Sequence, residues 1–278
     1  MTIGIVGLGL MGASFAMKLS EKNIRVLGFD IHKETIQLAK TKKIIQEGST
    51  RPEEWIHECD LVLFALYPTK ILPWILQYQQ HLKSHCLLMD ISGVKSNILE
   101  PIQDQLREDL SLLSIHPMCG RESRGIKFAD PTIFSNANFI IIPTKMNTEE
   151  EIQKAKKLAH FMDFGKISCL NIEEHDRMIG FLSQLTHCIA ISLMNTHDNT
   201  HLADYTGDSF RDLTRIASIN EDLWSELFLL NKDILLDEMN QFIDTISHLR
   251  DTLAKEDKEE LRRLMIQSTK RRKIFNKE

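Results

Sequence analysis

The chain has 278 residues, long for one compact core and comfortable for two, and its 42% hydrophobic and 26% charged residues are the balance of an ordinary soluble globular protein. A net charge of −5 argues against nucleic acid as the main partner, because phosphate binding needs a basic surface. No run approaches the roughly 20 consecutive apolar residues of a bilayer crossing, so no membrane partner is expected.

The chain enters a strand-like run, Ile3–Val6, at once, with no charged segment or cleavage site before it, so no secretory signal is expected. Further apolar runs, Arg25–Phe29, Leu61–Ala65, Cys86–Asp90 and Leu112–His116, read as strands. Between them the periodicity predicts helices over Met11–Ser20, Glu34–Lys42, Thr69–Gln80 and Lys95–Glu108. This alternation predicts βαβ units and a parallel sheet with helices on both faces. Phe139–Ile142 adds a strand that Pro143 ends, and Ile167–Leu170 reads as an edge strand. From about Glu173 the apolar spacing changes to three and four, which predicts helices near 173–198, 208–218, 221–252 and 256–273. The basic stretch Lys270–Lys277 reads as a solvated helix end that complements the helix dipole. Five scattered cysteines, Cys59, Cys86, Cys119, Cys169 and Cys188, form no CxxC. That pattern suits a reducing cytoplasm and predicts neither a disulfide framework nor a metal site.

Gly7-Leu8-Gly9-Leu10-Met11-Gly12 is a GxGxxG that follows a strand and opens a helix, the setting in which this motif binds a dinucleotide. Gly7 allows a tight turn, Gly9 lets the backbone approach a pyrophosphate, and Gly12 lets the helix pack on the strand. The helix N-terminus then offers N–H groups to phosphate. Asp30 ends the second strand, where a carboxylate accepts hydrogen bonds from the adenine-ribose hydroxyls and repels a 2′-phosphate, so NAD is the expected cofactor. His32 and Lys33 beside it leave tolerance of NADP open. The expected fold is therefore an α/β Rossmann-type parallel-sheet domain, residues 1–172, followed by an all-α dimerisation domain, residues 173–278. Taken as one helix, Leu223–Leu249 is apolar around far more than the roughly 100° that a single core requires. This predicts burial on two sides and a two-fold homodimer through the helical half.

His116-Pro117-Met118-Cys119-Gly120-Arg121-Glu122, Asp90-Ile91-Ser92-Gly93-Val94-Lys95, His175-Asp176 with Ser183 and His187, and Phe210-Arg211-Asp212-Leu213-Thr214-Arg215-Ile216-Ala217 with Trp224 and Asn231 resemble the prephenate/arogenate dehydrogenase family in order and spacing along nearly the whole chain. The resemblance implies oxidative decarboxylation of prephenate or arogenate: hydride leaves C4 of the cyclohexadiene ring for NAD, CO2 leaves C1, and the ring becomes aromatic. It implies His116 as the base for the 4-hydroxyl and Arg215 as the fork for a substrate carboxylate, with Glu122, Asp176, Ser183, His187, Arg211 and Trp224 lining the pocket.

Asp176 also reads as a helix N-cap, and Trp224 as a core residue. Many members of the family have serine immediately before Val-Lys. Here that position is Gly93 and the serine stands one step earlier, so Ser92 is carried as a catalytic candidate, while Lys95 reads as the start of a helix. The family often carries a fused chorismate mutase or a C-terminal regulatory domain; no such module follows the helical half, so control by a separate ligand domain is not expected. The glycine-rich start also resembles 3-hydroxyacid dehydrogenases, but those carry Gly-Gly-x-x-Gly where this chain has Asp90–Lys95. A catalytically silent dinucleotide-binding module is the alternative from another class, and His116 together with Arg215 argues against it.

Overall fold

Alternating apolar residues in the short runs of the first half let each strand bury both faces. In the computed structural model, which describes residues 1–121, 123–198 and 200–275, the strands are β1 (Thr2–Val6), β2 (Arg25–Phe29), β3 (Glu47–Ser49), β4 (Leu61–Phe64), β5 (Leu87–Asp90), β6 (Ser111–Met118), β7 (Asn138–Ile142) and β8 (Lys166–Cys169). They form one sheet in the order β3-β2-β1-β4-β5-β6-β7-β8. The helices of this half are α1 (Leu10–Glu21), α2 (Lys33–Thr41), α3 (Pro68–Tyr78), α4 (Leu99–Gln103) and α5 (Glu149–Phe161). Ile3, Ile5, Leu61, Leu63, Leu113 and Ile115 point into one core with Phe15 and Ala155. Val6, Val62, Phe64, Leu88 and Leu112 point into the other with Ile71, Ile75 and Ile102.

Three features differ from the sequence expectation. The sheet is mostly parallel, not wholly so: β7 runs antiparallel to β6. The segment between them holds only short 3-10 turns, Ile126–Phe128 and Pro131–Phe134. Without a long crossover helix the chain cannot return to a parallel start. The helix expected over Lys95–Glu108 shrinks to α4, because Asn97 takes a left-handed backbone, φ 62°, and the Lys95 and Ser96 N–H groups bond to a side chain far along the chain. Helix α5 and the short edge strand β3 were not expected. Helix α5 opens with a capping box in which Thr148 and Glu151 each bond the other's backbone.

The second half comprises α6 (Ile172–Ile179), a π-helical turn (Gly180–Leu185), α7 (Thr186–Met194), α8 (Asp208–Thr214), α9 (Glu221–Leu230), α10 (Lys232–Ala254) and α11 (Lys258–Lys273). By length and composition alone, the run Ile172–Met194 could cross a membrane. It carries His175 and Asp176 fully buried in protein contacts, which is the setting of a domain helix. The single helix expected over 221–252 is two, with Asn231 between them, so the stripe drawn along Leu223–Leu249 is divided between two helices. The chain divides into two compact units, residues 1–232 and 233–278. Within the second, Glu260 of α11 bonds His248 of α10 at 3.1 Å and also holds Arg263.

Candidate active site

The carboxyl ends of β1, β4, β5 and β6 lie along one edge of the sheet, where ligands of open α/β folds bind. At the end of β1, Gly7 adopts φ 88°, a conformation that disfavours any side chain. A Cβ at Gly12 would overlap the Gly7 carbonyl oxygen, whereas a Cβ at Gly9 would meet nothing within 4 Å. Packing therefore requires glycine at 12 but not at 9, and the space over Gly9 is an open cradle. Gly9 is the N-cap of α1 and supplies no side-chain cap, so the first N–H groups of the helix, at Leu10, Met11 and Gly12, face that space. Asp30 stands beside the turn, accepting from the Leu8 N–H at 2.8 Å and the His32 N–H at 2.9 Å. The Leu8 side chain is fully buried and Leu10 nearly so.

His116 lies near the end of β6, three strands from the glycine turn. Its Nδ1 lies 2.8 Å from Nε2 of His175, and Nδ1 of His175 lies 2.6 Å from Asp176 Oδ1. The proton positions follow from the far end. The Asp176 carboxylate also accepts the Lys95 N–H at 3.0 Å and the Ser96 N–H at 2.7 Å. Burial raises its pKa, but the hydrogen bonds from His175 and Ser96 outweigh burial and leave it below the ordinary value. An ionised Asp176 accepts a hydrogen bond from His175 Nδ1–H, so neutral His175 offers Nε2 as an acceptor. His116 must then donate from Nδ1, which leaves its Nε2 with a lone pair. Burial, then the neighbouring His175 and Lys95, hold His116 well below the ordinary imidazole pKa; burial also lowers His175. The arrangement is a neutral base of fixed tautomer, oriented by a second imidazole and a carboxylate.

Beside this chain of rings lies a buried polar cluster, of which the sequence singled out Ser92 but not the buried pairing of Lys95 with Asp90. Lys95, fully buried, donates to Asp90 Oδ1 at 3.0 Å, to Ser92 Oγ at 3.4 Å and to the Ile115 carbonyl at 3.0 Å. Ser92 donates to Asp90 at 2.7 Å or to the Val94 carbonyl at 3.1 Å, and Ser114 also donates to Asp90. The Ser92 hydroxyl thus sits on Asp90 rather than on His116. A Cβ at Gly93 would meet only Leu227, at 3.4 Å. Lys95 does not start a helix, and the N-cap of α6 is Asn171 rather than Asp176. The sequence does carry signals for these residues: His175 stands next to Asp176, and Asp90, Ser92 and Lys95 follow a strand end.

The helical half supplies a second wall. The N-terminus of α9 is held on the loop after β4, where Asn220 Nδ2 donates to the Tyr67 hydroxyl at 3.0 Å and Glu226 accepts the Thr69 N–H at 2.7 Å. This places Trp224 stacked on His187, ring centroids 3.6 Å apart, with Phe228 at its edge. The His187 Nδ1 donates to the Ser183 carbonyl at 2.8 Å. Ser183 lies in the π-helical turn, an element that recurs at functional sites. Arg215 is exposed on the one-turn helix after α8, which packs against α7, the helix that carries His187. Arg211 is exposed, 3.5 Å from Asp208 and donating to the Thr206 carbonyl at 3.1 Å. Glu122 lies outside the described residues.

Comparison with known proteins matches two family models in sequence order. The prephenate dehydrogenase nucleotide-binding domain covers residues 14–163, and the prephenate dehydrogenase dimerization domain covers residues 171–267. The chain is 28% identical over 274 residues to the prephenate dehydrogenase of Bacillus subtilis, covering 94% of this chain and 72% of that protein. It is 26% identical over 269 residues to the cyclohexadienyl dehydrogenase of Zymomonas mobilis, covering 92% of this chain and 89% of that protein. The crystal structure of prephenate dehydrogenase from A. aeolicus in complex with hydroxyphenyl propionate and NAD+ superposes with a TM-score of 0.90 at 25% identity, covering 99% of this chain and 98% of that one.

Proposed function

We infer that His116 is the general base of this chain, which belongs to the prephenate dehydrogenase family and is an NAD-dependent oxidoreductase that converts prephenate to 4-hydroxyphenylpyruvate with loss of CO2. The observation that carries the reading is the bonded series Asp176, His175, His116, which leaves the His116 Nε2 lone pair available at the carboxyl edge of the sheet. The open space over Gly9, the uncapped start of α1 and the Asp30 carboxylate suit a dinucleotide, with the pyrophosphate on the helix N–H groups and the ribose on Asp30. NAD, when bound, accepts the hydride that leaves C4.

The chain's own residues do the rest. His116 Nε2 takes the proton of the 4-hydroxyl as the carbon–hydrogen bond breaks, and His175 holds the imidazolium by accepting from its Nδ1. Arg215 grips a substrate carboxylate with its planar fork. Ser183, His187, Arg211, Trp224 and Glu122 line the pocket, and the stacked His187–Trp224 pair gives the ring a flat apolar wall. Ser92 serves the Asp90 cluster rather than the substrate. Residues 1–172 bind the cofactor, and residues 173–278 supply the substrate wall and a homodimer interface, in a cytoplasmic enzyme. On α10, Leu236, Ile243, Ile246, Leu249 and Leu253 are exposed and fall within about 140° of the helix circumference, a face for a second copy to cover.

The test is formation of reduced nicotinamide from prephenate and NAD. His116→Ala should lower kcat by roughly 100-fold or more and leave substrate KM little changed. A variant with undiminished kcat would assign the proton to another group.

A further inference from the structure

Lys95 has no part in the chemistry just described, yet it is fully buried, and two of its contacts lead to the base through intervening groups. Its ammonium holds the carbonyl of Ile115, the peptide that leads directly into His116, at 3.0 Å. Its main-chain N–H, with that of Ser96, holds the Asp176 carboxylate that orients His175, which in turn orients His116. The ion pair with Asp90 closes the arrangement, because Asp90 also collects the hydroxyls of Ser92 and Ser114, and Ser114 lies two residues before His116 on the same strand. A buried ion pair is a weak source of stability, since desolvating two charges offsets most of their attraction, and apolar residues of the same volume do as well or better. Stability alone gives no reason for a lysine here.

We propose that Lys95, paired with Asp90, is a positioning residue for catalysis: its ammonium fixes the peptide that carries His116 through the Ile115 carbonyl, and its main chain holds the Asp176 carboxylate that orients His175. The proposal rests on His116 being the base. The titratable groups around His116 among the described residues are His175 and Asp176 on α6, Asp90 at the end of β5, and Lys95 itself. Burial is the largest cause that lowers both rings, and the positive charge of Lys95 adds to it; burial also lowers the pKa of Lys95 itself, which the Asp90 carboxylate opposes. Asp90 alone, left without its lysine, would act in the opposite sense.

The variants are Lys95→Met and the double variant Asp90→Asn with Lys95→Met, which removes the pair without leaving one buried charge unpaired. Thermal unfolding establishes that each is folded, and the readouts are kcat, KM and the pH profile of kcat. Both should lose kcat by roughly 10-fold or more, in line with the cost of misplacing a catalytic group from a distance. KM should hold, and the acid limb of the profile should move to higher pH. A folded double variant with wild-type kcat and an unmoved acid limb would make Lys95 purely structural.

If neither variant folds, nitrogen NMR of the wild-type side chains decides. An ammonium at Lys95 together with a neutral, Nδ1-protonated His116 persisting below the ordinary imidazole range supports the proposal. A neutral Lys95, or a His116 titrating at its ordinary value, overturns it. His116→Ala separates the two ideas: full activity in that variant removes the base assignment, whereas an inactive His116→Ala beside a normal double variant removes only the role of Lys95.

Discussion

Asp176→Asn is the sharpest test of the fixed tautomer, because it changes one atom and leaves the shape alone. In the wild type every group that meets this carboxylate is a donor: His175 Nδ1 at 2.6 Å, and the N–H groups of Lys95 at 3.0 Å and Ser96 at 2.7 Å. An amide must turn its NH2 toward one of them. Facing Ser96 and Lys95, the NH2 would oppose main-chain donors that cannot change. Facing His175, it needs only that the ring surrender its Nδ1 proton. His175 then carries the proton on Nε2 and donates to His116 Nδ1, and His116 is left protonated on Nε2, the atom that has to accept.

An Asp→Asn change that imposes the wrong tautomer on a catalytic histidine costs up to about 10⁴-fold in kcat. With a second imidazole in between, a loss of about 10²- to 10⁴-fold is expected, or about 3 to 5 kcal/mol of barrier. Asp176 is 0% exposed and cannot reach substrate, so KM should stay near the wild-type value. Exchanging charged for neutral hydrogen bonds should lower stability by about 1–3 kcal/mol. Because the folded-state pKa of Asp176 is depressed, its contribution to stability is present above the unfolded carboxyl value of about 3.9 and is lost as pH falls through the folded value. The variant should lack that component of acid unfolding. Steady-state kinetics with prephenate and NAD, beside thermal melts over pH, measure all of this. A wild-type kcat, or a loss expressed in KM alone, would refute the tautomer argument.

Three further outcomes follow from the geometry. Gly9→Ala should fold with an unchanged unfolding midpoint but bind NAD more weakly, whereas Gly12→Ala should lose both stability and NAD binding; wild-type NAD affinity in Gly9→Ala would empty the cradle of meaning. His116 and His175 both have depressed pKa values in the fold, so the stability linked to them is full above about pH 6.5 and is lost as pH falls through their folded values; the unfolding midpoint should drop with acidification over that range, and His116→Ala should blunt the drop. Arg215→Ala should raise the KM for prephenate by roughly 10- to 100-fold, with Arg215→Lys recovering only part of it, since an ammonium cannot replace the fork; an unchanged KM with a lowered melting temperature would make the residue an ion-pairing surface group.

Local patterns made the sheet and the glycine turn legible. Ile3, Ile5, Leu61 and Leu63 alternate as a two-faced strand requires, and Gly7 and Gly12 stand where a turn and a close helix approach demand them. Helix α5 went unread although Thr148 and Glu151 spell its capping box before an amphipathic run. Strand β3, Glu47-Gly48-Ser49, has no apolar pattern to read; it forms because the Leu27–Phe29 edge offers partners. The segment after Lys95 failed for another reason. Its apolar spacing is helical, but its first N–H groups are claimed by Asp176, 80 and 81 residues away, and no local rule registers a partner at that distance. The same holds for His116: its position at a strand end was readable, whereas the ring that orients it lies 59 residues further on.

The break at Asn231 belongs to the same class of long-range determinant, and it accounts for how the helical half reaches the base. A continuous helix over 221–252 would present a side chain to solvent or to a neighbour at this point. Instead Asn231 is buried and donates its amide to the Asp176 carbonyl at 3.1 Å and to Gln184 Oε1 at 2.7 Å, while Gln184 donates to the Leu227 carbonyl at 2.9 Å. The π-helical turn permits this. One additional residue in the turn accompanies the inward placement of Gln184 against α9, while His187, just after it, stacks on Trp224. Asp176 is therefore gripped three ways: its carboxylate by the Lys95–Ser96 main chain, its carbonyl by Asn231, and its partner ring by His116. A carboxylate held from the sheet side and its own peptide held from α9 cannot shift unless both shift together. The direction of the His116 lone pair is thus set jointly by the cofactor half and the helical half, and damage to either should register first as loss of turnover rather than loss of fold.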